Sequence, residues 1–462
     1  MITDGVVDGA VRFRQRLLPQ TLQHGGEIEF YRRHWADVPA SRRHSLVDLP
    51  TVSKQKNLSE LEAMRHPRLR PALLTQTTGT TGRPFRLYRS GEELEAYREY
   101  VQALMAKARR TGAEARPVLA FNALPQYVHG ASIDANQIAY RFAIDVESEI
   151  GLQNALSLLS DTTVFCHDGI APMRVVSGSP QMLLSLTAAC DLSGVDPAAL
   201  KIDELYSLGD VLTSSTRRHL ARRWPDSKIH DVFSCAEVIG AAAVCAHCGG
   251  LHYEPVVLPE ILDLDVDESS RGNVGELTLT ELYPFAQLQP LLRYRTGDIV
   301  RRVDCPARPD DLAFVPLGRR HSCPTVTVDG TSHILIGGIM LREVMEEEPG
   351  VARERLAEVL HPVIGQLPGG GARVAWDLQM ADRAARLRLA VAASFSPGLF
   401  PDSALELRDR LTRRLRELIS VPDGLALEIE LGLHEPHSNV EALCVRPLLF
   451  PAPEVDFASG DA

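Results

Sequence analysis

The stretch LLTQTTGTTGRPFRLYRS, residues 73 to 90, places four threonines and two glycines between two segments of strand-like residues. Glycines let backbone N–H groups crowd around a ligand, and threonine hydroxyls add rotatable donors. The turn from Gly79 to Gly82 could therefore wrap an anion such as a polyphosphate. The run lacks the Gly-Lys-Ser/Thr ending of a P-loop, so a polar hairpin loop between two strands is the alternative.

Helical patterns flank this stretch on both sides. VRFRQRLLPQTLQ, residues 11 to 23, has apolar residues near helical spacing, and a further helix is predicted with Ser59 as its N-cap. GEELEAYREYVQALMAKARR, residues 91 to 110, is amphipathic, with acids in its first turn and bases in its last. RPVLAFNAL, residues 116 to 124, predicts a buried strand.

Farther along the chain, residues 150 to 240 alternate short apolar strands with helices, a pattern that predicts α/β architecture with parallel strands. It places Ser207 to Asp210 and Ser234 to Glu237 just after strands, where open α/β sheets bind ligands. Residues 255 to 318 are rich in strands, and the pattern after Gly318 predicts a compact α+β module.

The predicted fold class is therefore α/β with two domains. Residues 1–318 would form a large N-terminal domain with parallel α/β sheets plus a strand-rich subdomain. Residues 319–450 would form a small, mobile α+β C-terminal domain, and residues 451–462 a loose tail. A chain of 462 residues is also longer than one hydrophobic core usually serves.

Composition narrows the classes of function. The net charge of −11 argues against a nucleic-acid binder held by phosphate contacts and favours a small-molecule substrate. No run of about 18 apolar residues and no secretion-signal pattern is found, which predicts a cytoplasmic protein without a membrane span. Eight cysteines are too few for a disulfide scaffold, so clustered cysteines are more often metal ligands.

Five stretches in this order resemble the adenylate-forming superfamily of acyl-CoA synthetases: TTGTTGRPF, VSGSPQMLL, DVFSCAEV, GELTLTEL and PLLRYRTGD. Within it, they are similar to the branch of phenylacetate-CoA ligases and coenzyme F390 synthetases. The segment FYRRHWADVPASRRHSLVDLPTVSKQKNL also looks like that branch. The resemblance runs from about residue 28 to residue 320, and RYRTGD after GEL is its specific part.

The resemblance implies a site for ATP and Mg²⁺. Asp298 would accept hydrogen bonds from both ribose hydroxyls, a task for an ionised acceptor with two oxygens. Asp210, at a strand end, is a further candidate for nucleotide binding. The residues that would wrap the β- and γ-phosphates are Thr77, Thr78, Gly79, Thr80, Thr81, Gly82 and Arg83.

Three residues are catalytic candidates by the same resemblance. Glu237 falls on the position that binds Mg²⁺, and a lone carboxylate plus phosphate oxygens is how this ion is usually held. Arg319 matches the arginine that contacts the nucleotide near the interdomain hinge. Each residue also has an ordinary alternative, because Glu237 could face solvent, Asp298 could cap its turn, and Arg319 could be a surface arginine. Arg446 is the third candidate, for a reason that follows from a missing lysine.

Several positions depart from the family pattern. Ala236 lacks the hydroxyl that helps to hold phosphate and metal, and no lysine follows Lys228. The family brings a C-terminal lysine to the α-phosphate, and its loss should cost roughly two to four decades in rate if nothing replaces it. Arg446 is the nearest cation in about the right place, although an arginine is longer and forked.

Candidates for the acyl pocket lie mainly at strand ends. Tyr127 and His129 in YVHG follow a predicted strand and could line the pocket, while a packed loop is the alternative for them. The other candidates are Ser207, Gly209, Phe233 and Ser234.

A second, metal-binding site is predicted within residues 245–305. Cys245, Cys248 and His252 lie in CAHCGGLH, and Cys305 follows a later strand. Some members of the branch are similar here, although their later pair of cysteines is reduced to one in this chain. The Cys₃His set is typical of a closed, structural Zn²⁺ site. Reduced, packed cysteines, or His247 in one of the ligand positions, are the alternatives.

Three hypotheses of different classes follow. The first is ATP- and Mg²⁺-dependent activation of a small aromatic acid, with transfer to CoA, a carrier-protein thiol or an amine in specialised biosynthesis. The second is an ATP-independent acyltransferase or condensing enzyme that uses an acyl thioester, favoured by Ala236 and the missing lysine. The third is a non-catalytic protein that binds nucleotide or acyl-CoA. A homodimer is an open alternative to a monomer.

Overall fold

The computed structural model describes residues 9–76, 85–110, 118–122, 141–145, 149–161, 164–166, 169–266, 268, 270, 273–353, 372, 374–436 and 446–447. Its α-helices are α1 (Ala10–Glu27), α2 (Glu29–His34), α3 (Lys54–Ser59), α4 (Gly91–Arg110), α5 (Glu149–Ser160), α6 (Pro180–Leu192), α7 (Ser214–Arg223), α8 (Gly338–Glu347) and α9 (Pro401–Leu418). Within these described stretches, no helix combines the length and the apolar character needed to cross a membrane.

The strands up to residue 233 are β1 (Pro71–Gln76), β2 (Arg86–Ser90), β3 (Val118–Asn122), β4 (Arg141–Asp145), β5 (Val164–Cys166), β6 (Gly169–Ala171), β7 (Val175–Gly178), β8 (Glu204–Leu208) and β9 (Lys228–Phe233). Those that follow are β10 (Ala242–Val244), β11 (Leu251–Tyr253), β12 (Val257–Leu262), β13 (Val274–Glu281), β14 (Tyr294–Val303), β15 (Ala313–Arg319), β16 (Thr325–Val328), β17 (Thr331–Ile334), β18 (Val374–Ala381), β19 (Ala384–Ala392), β20 (Ala426–His434) and β21 (Arg446–Pro447).

The short helix α3 begins earlier than the sequence predicts. Its N-cap is Ser53, whose hydroxyl accepts a hydrogen bond from the Lys56 N–H at 3.3 Å, while Ser59 is the last helical residue. Ser53 has the extended backbone that an N-cap needs, and its oxygen satisfies an N–H group left over at the helix start. The prediction of Ser59 as the cap was therefore wrong.

One mixed sheet frames the N-terminal part of the chain, in the order β12-β13-β14-β15-β11-β10-β9-β8-β7-β3-β4. The strands from β9 to β4 in that order run parallel, and those from β12 to β9 run antiparallel. The sequence predicts a strand-rich subdomain after residue 255, and its strands β12 to β15 join the parallel strands through β11 and β10. Continued pairing leaves no exposed edge between the two parts.

Two apolar clusters pack against this sheet. The helices α5, α6 and α7 cover the parallel strands, with Leu183, Leu205 and Trp224 among the buried residues. The helices α1, α2 and α4 pack on the antiparallel part through residues such as Phe13 and Tyr100. The confirmed α/β character thus comes from apolar helix faces that cover a mixed sheet.

The C-terminal part has its own core. Its sheet has the order β20-β19-β18-β21, and α8 and α9 pack against it. Leu407, Leu411 and Leu415 recur every four residues along α9, are fully buried and join the cluster around Trp376. This arrangement is α+β, while the domain boundary at residue 319 stays a prediction.

Polar contacts dock α8 onto the start of α7. Thr213 is the N-cap of α7, and the acidic side chains of α8 lie where a helix N-terminus favours negative charge. The contacts include Thr213 Oγ1 with Glu346 Oε2 at 2.6 Å, the Ser214 N–H and Oγ with Glu343 Oε1, both at 2.8 Å, and Arg218 Nη2 with Glu347 Oε1 at 2.8 Å.

Candidate active site and metal site

Asp298 and Arg319 lie opposite each other on the neighbouring strands β14 and β15. Arg319 Nε is 3.0 Å from Asp298 Oδ1, and Arg319 Nη1 donates a hydrogen bond to the Thr296 carbonyl at 2.8 Å. The Asp298 N–H donates to Thr296 Oγ1 at 3.0 Å. Antiparallel register therefore brings together two residues that the sequence predicts in one nucleotide site.

Asp298 keeps one acceptor without a partner. The residue is 7% exposed, and its Oδ2 has no hydrogen-bond partner among the residues that the structure describes. Burial raises the pKa of the Asp298 carboxyl, and the charge of Arg319 partly offsets that rise. A buried acceptor without a partner costs about 1–3 kcal/mol, so its persistence indicates a place for a donor from a ligand. The Arg319 side chain is 46% exposed, which leaves this side of the pair open.

Glu237 lies near the same pair. It follows β9 in a turn, is 8% exposed, and its Oε1 accepts a hydrogen bond from the Tyr294 hydroxyl at 3.4 Å. Tyr294 begins β14, the strand that carries Asp298. The turn after β9 and the strand β14 therefore converge, as the sequence prediction for Glu237 and Asp298 requires.

Lys54 interacts electrostatically with this site, although sequence analysis did not single it out. Burial lowers the pKa of the Lys54 ammonium, the negative charge of Glu237 opposes that change, and the positive charge of Arg319 adds to it. Lys54 is the first residue of α3. The signal in the sequence was its place in DLPTVSKQK, part of the segment that carries the family resemblance.

The backbone before α3 explains how Lys54 reaches the site. Val52 forms a parallel bridge with Tyr294, because the Val52 N–H donates to the Arg293 carbonyl and the Arg295 N–H donates to the Val52 carbonyl, both at 3.0 Å. The segment thus lies along the start of β14. Contacts between residues far apart in sequence thus bring the start of α3 next to the strand that carries Asp298.

The parallel-strand ends hold the next group of predicted residues. Ser207 is fully buried on β8, and Gly209 follows at φ +85°, where the left-handed backbone favours glycine. Asp210 Oδ2 accepts a hydrogen bond from Gln181 Nε2 at 2.7 Å and lies 3.7 Å from Arg342 Nη1 of α8. In this structure Asp210 therefore contacts the C-terminal part, and its nucleotide role stays a prediction.

Phe233 lies in an aromatic cluster at the end of β9, followed by Ser234. Its ring is perpendicular to those of Tyr253 and Phe314, at centroid distances of 6.2 and 5.7 Å. Such edge-to-face contacts favour a firmly packed apolar surface.

Some predicted residues cannot be placed. Thr77 to Arg83, Tyr127 and His129 lie outside the described residues, although β1 and β2 pair up to Gln76 and Arg86 on either side of the first group. The backbone of Arg446 pairs with Trp376, and β21 lies against the turn Arg320–Ser322. The Arg446 side chain is likewise outside the description, so its catalytic role stays a prediction.

The predicted metal ligands come together. One ligand atom from each of Cys245, Cys248, His252 and Cys305 lies within 4.8 Å of all the others. The Cys245 and Cys305 sulfurs are 3.8 Å apart, and Cys248 Sγ is 3.7 Å from His252 Nε2. Zn–S bonds of about 2.3 Å in a tetrahedron give edges of about 3.8 Å, so the donor set fits a zinc ion.

Residues behind these ligands fix the histidine. His252 Nδ1 is 3.0 Å from Asp311 Oδ2, which leaves Nε2 towards the sulfurs. Asp311 Oδ1 in turn accepts a hydrogen bond from Arg14 Nη1 at 2.5 Å, and Arg14 also donates to the Tyr253 and Val257 carbonyls. The helix α1 is thereby tied to the metal site, a link that sequence analysis missed.

Comparison with known proteins places this geometry in context. No family model matches the chain. The chain is 26% identical over 295 residues to a phenylacetate-coenzyme A ligase of Thermus thermophilus, which covers 59% of this chain and 61% of that protein. It is 29% identical over 141 residues to a phenylacetate-coenzyme A ligase of Pseudomonas putida, covering 29% of this chain and 31% of that one. The chain thus matches less than two thirds of the length of either relative.

The fold matches that of a solved structure over nearly the whole chain. It is similar to an open conformation of 2-hydroxyisobutyryl-CoA ligase in complex with 2-HIB-AMP and CoA, with a TM-score of 0.63 and 16% identity. The match covers 92% of this chain and 88% of that one. The chain is therefore a homologue of the phenylacetate-coenzyme A ligases and has the fold of the adenylate-forming CoA ligases.

Proposed function

We propose that this protein is an ATP- and Mg²⁺-dependent ligase that activates a carboxylic acid as its acyl-adenylate and transfers the acyl group to CoA. The observation that carries the proposal is the buried Asp298 with one unpartnered oxygen, paired to Arg319 and close to Glu237. The names of the two sequence relatives, both phenylacetate-coenzyme A ligases, support the same class of reaction.

The chemistry has two steps. A carboxylate oxygen of the acid attacks the α-phosphorus of ATP, and the bond to the β-phosphate oxygen breaks as pyrophosphate leaves. The thiolate of CoA then attacks the acyl carbon, and AMP leaves. Asp298 would accept hydrogen bonds from the ribose hydroxyls through its unpartnered oxygen, and Glu237 would hold Mg²⁺.

The missing C-terminal lysine calls for another source of positive charge at the α-phosphate. Lys54 and Arg319 both interact electrostatically with Glu237, and Lys54 is partly desolvated. A fixed charge in a partly buried site stabilises developing negative charge more than an exposed one does. We assign this role to Lys54 and Arg319, with Arg446 and the run from Thr77 to Arg83 as the predicted contributors outside the description.

The proposed substrate is a small aromatic acid. Phenylacetate is the acid named for both relatives, and the rings of Phe233, Tyr253 and Phe314 offer an apolar, aromatic surface at the end of β9. A carrier-protein thiol or an amine is the alternative acceptor. The departure at Ala236 favours a specialised biosynthetic role over general catabolism.

We further propose that the Cys₃His cluster holds a structural Zn²⁺. The four ligands leave no open position, so the ion would cross-link the loop after β10 to the segment after β14 rather than take part in the reaction. The Cys245 thiol supports this role, because the backbone N–H groups of His247 and Cys248 lower its pKa and favour the thiolate that a metal requires.

The proposal is tested by mass spectrometry of purified protein with ATP, Mg²⁺ and a panel of small aromatic and aliphatic acids, first without CoA and then with it. Acid-dependent AMP and acyl-adenylate, followed by acyl-CoA, are the expected products. A product formed from an acyl thioester without ATP would instead establish an acyltransferase. Nucleotide binding without turnover of any acid would establish a non-catalytic binding protein.

A further inference from the structure

Three charged side chains are buried together behind the Glu237 turn. Arg89 on β2 is 2% exposed, Glu93 in the first turn of α4 is fully buried, and Glu281 at the end of β13 is 1% exposed. They lie on three separate elements. β2 pairs with β1, so the group connects this pair of strands to the Glu237 turn.

Arg89 and Glu281 hold the backbone directly after the Glu237 side chain, on both sides of Val238. Arg89 Nη2 donates to the Glu237 carbonyl at 3.0 Å and to Glu281 Oε1 at 2.8 Å, while Nη1 reaches Glu281 Oε2 at 3.3 Å. Glu281 Oε1 also accepts the Ile239 N–H at 2.9 Å. The backbone before and after Val238 is therefore fixed by one bidentate pair, whose geometry is demanding.

Glu93 extends the group to a second loop. Its Oε1 is 3.8 Å from Arg89 Nε, and its Oε2 accepts the N–H groups of Gln287 and Leu288 at 2.5 and 2.8 Å. The other oxygen of Glu281 accepts the Leu291 N–H at 3.0 Å. Glu93 and Glu281 thus fix the loop between β13 and β14 next to Arg89. This loop leads into β14, the strand that carries Asp298.

Stability alone is a weak reason for such a group. Taking three charges out of water is costly, and well-packed apolar residues of similar volume often stabilise a protein as much or more. Apolar residues cannot make directional hydrogen bonds. The Arg89 guanidinium bonds one carbonyl and two carboxylate oxygens, and it thereby fixes the relative placement of β2, the Glu237 turn and β13. The turn carries Glu237, and β13 pairs with β14, the strand that carries Asp298.

We propose that Arg89 is a positioning residue that holds the Glu237 turn against the paired strands β1 and β2, so that the Glu237 carboxylate is placed to bind the Mg²⁺ of Mg²⁺–ATP. The inference rests on the proposed function, since it assigns Arg89 a part in binding Mg²⁺–ATP. Arg89 would touch neither ligand and would act through the backbone of Glu237.

The test is Arg89→Lys, which keeps the charge and cannot make all of the guanidinium contacts. We expect the Mg²⁺ concentration for half-maximal acid-dependent ATP–pyrophosphate exchange to rise about tenfold, while the KM for the acid changes less than about twofold. The matched control is Arg293→Lys. Arg293 is 2% exposed and forms a comparable bidentate pair with Glu260, so this variant loses a similar buried pair in the same domain. Its Mg²⁺ requirement should stay within about twofold of the original.

A double variant separates positioning from general packing. If Arg89 acts through Glu237, adding Arg89→Lys to Glu237→Gln should change the Mg²⁺ requirement less than about twofold further. Additive effects in the double variant would overturn the inference. So would an unchanged Mg²⁺ requirement in Arg89→Lys, or an equal change in Arg293→Lys.

A failure of the Arg89 inference can be distinguished from a failure of the ligase proposal. If the original protein turns over no acid, the ligase proposal is contradicted, and the same comparison is made by calorimetric binding of Mg²⁺–ATP. A roughly tenfold weaker binding to Arg89→Lys, absent in Arg293→Lys, would support the inference without turnover. No binding of Mg²⁺–ATP to the original protein would overturn the inference as well.

Discussion

The region around Asp298 and the region around Cys305 share the strand β14, yet their polar atoms are satisfied in opposite ways. At Asp298, a buried oxygen has no partner among the described residues, and Arg319 beside it is partly exposed. At Cys305, four donor atoms converge on one another, and the histidine among them is backed by Asp311. On the function proposed above, a nucleotide from solution would complete the first site, and a single ion would complete the second. The first would then serve turnover and the second architecture.

The largest expected effect is on the open site. Asp298→Ala should lower acid-dependent acyl-adenylate formation about a hundred- to a thousandfold, because the acceptor for the ribose hydroxyls is lost. Folding should be little affected, since Arg319 is partly exposed and stays hydrated. Steady-state AMP release together with a thermal melt checks both statements. Asp329→Ala, which breaks an exposed pair with Arg383, is the control that should retain full activity. Equal activity in the two variants would contradict the assignment.

The closed site should respond in stability instead. Cys305→Ser should reduce bound zinc and lower the free energy of unfolding by on the order of 3 kcal/mol, because the ion cross-links two loops. Elemental analysis and denaturant unfolding measure the two effects. Cys190→Ser is the control. Cys190 is a buried thiol in an apolar cluster, so this variant should bind as much zinc as the original protein. Zinc that persists unchanged in Cys305→Ser would show that these residues are not its ligands.

A third change tests the charge that replaces the missing lysine. Lys54→Met should lower the rate of acyl-adenylate formation about tenfold and leave the KM for the acid nearly unchanged, because the lost interaction belongs to the transition state. Single-turnover kinetics distinguish this step from product release. Lys56→Met is the matched control, since Lys56 lies on the same helix and contacts His34 rather than Glu237. A similar loss in both variants would point to damage of α3 instead.

The last change probes the buried carboxyl group of Glu254. Burial raises the pKa of Glu254, which follows β11, to about 7. The folded state therefore binds a proton that the unfolded state has already released, so stability falls as pH rises from about 4.5 to about 7. Glu254→Gln should remove this fall, a relative gain on the order of 2 kcal/mol at pH 7.5 compared with pH 5.

Denaturant unfolding at the two pH values measures this relative gain. Glu406→Gln, at an exposed position of α9, should show no such gain relative to the original protein, because it keeps Glu254. A Glu254 variant that tracks the original protein at both pH values would contradict the burial argument.

Sequence reasoning found the residues that sit in local motifs. Asp298 and the Cys₃His set stand in short patterns whose chemistry is readable in one dimension, and the structure brings each set together. Lys54, Asp311 and Arg89 were missed as members of the sites because pairing between distant segments places them. Arg89 and Glu281 are 192 positions apart, and Arg14 and Asp311 are 297 apart. No local pattern encodes such contacts, since they follow from strand order and helix packing.

The polar contacts between α7 and α8 should depend on ionic strength to different degrees. Arg218 and Glu347 form an exposed pair, and Ser214 with Glu343 is exposed as well, whereas Thr213 and Glu346 are buried. Charges at the surface are screened over about 8 Å at physiological salt, and buried ones much less. Rising salt concentration therefore weakens the exposed pair of Arg218 and Glu347 first and affects the buried contact of Thr213 with Glu346 least. A salt titration would therefore weaken the contacts between α7 and α8 gradually, while the residues of both apolar cores stay as they are.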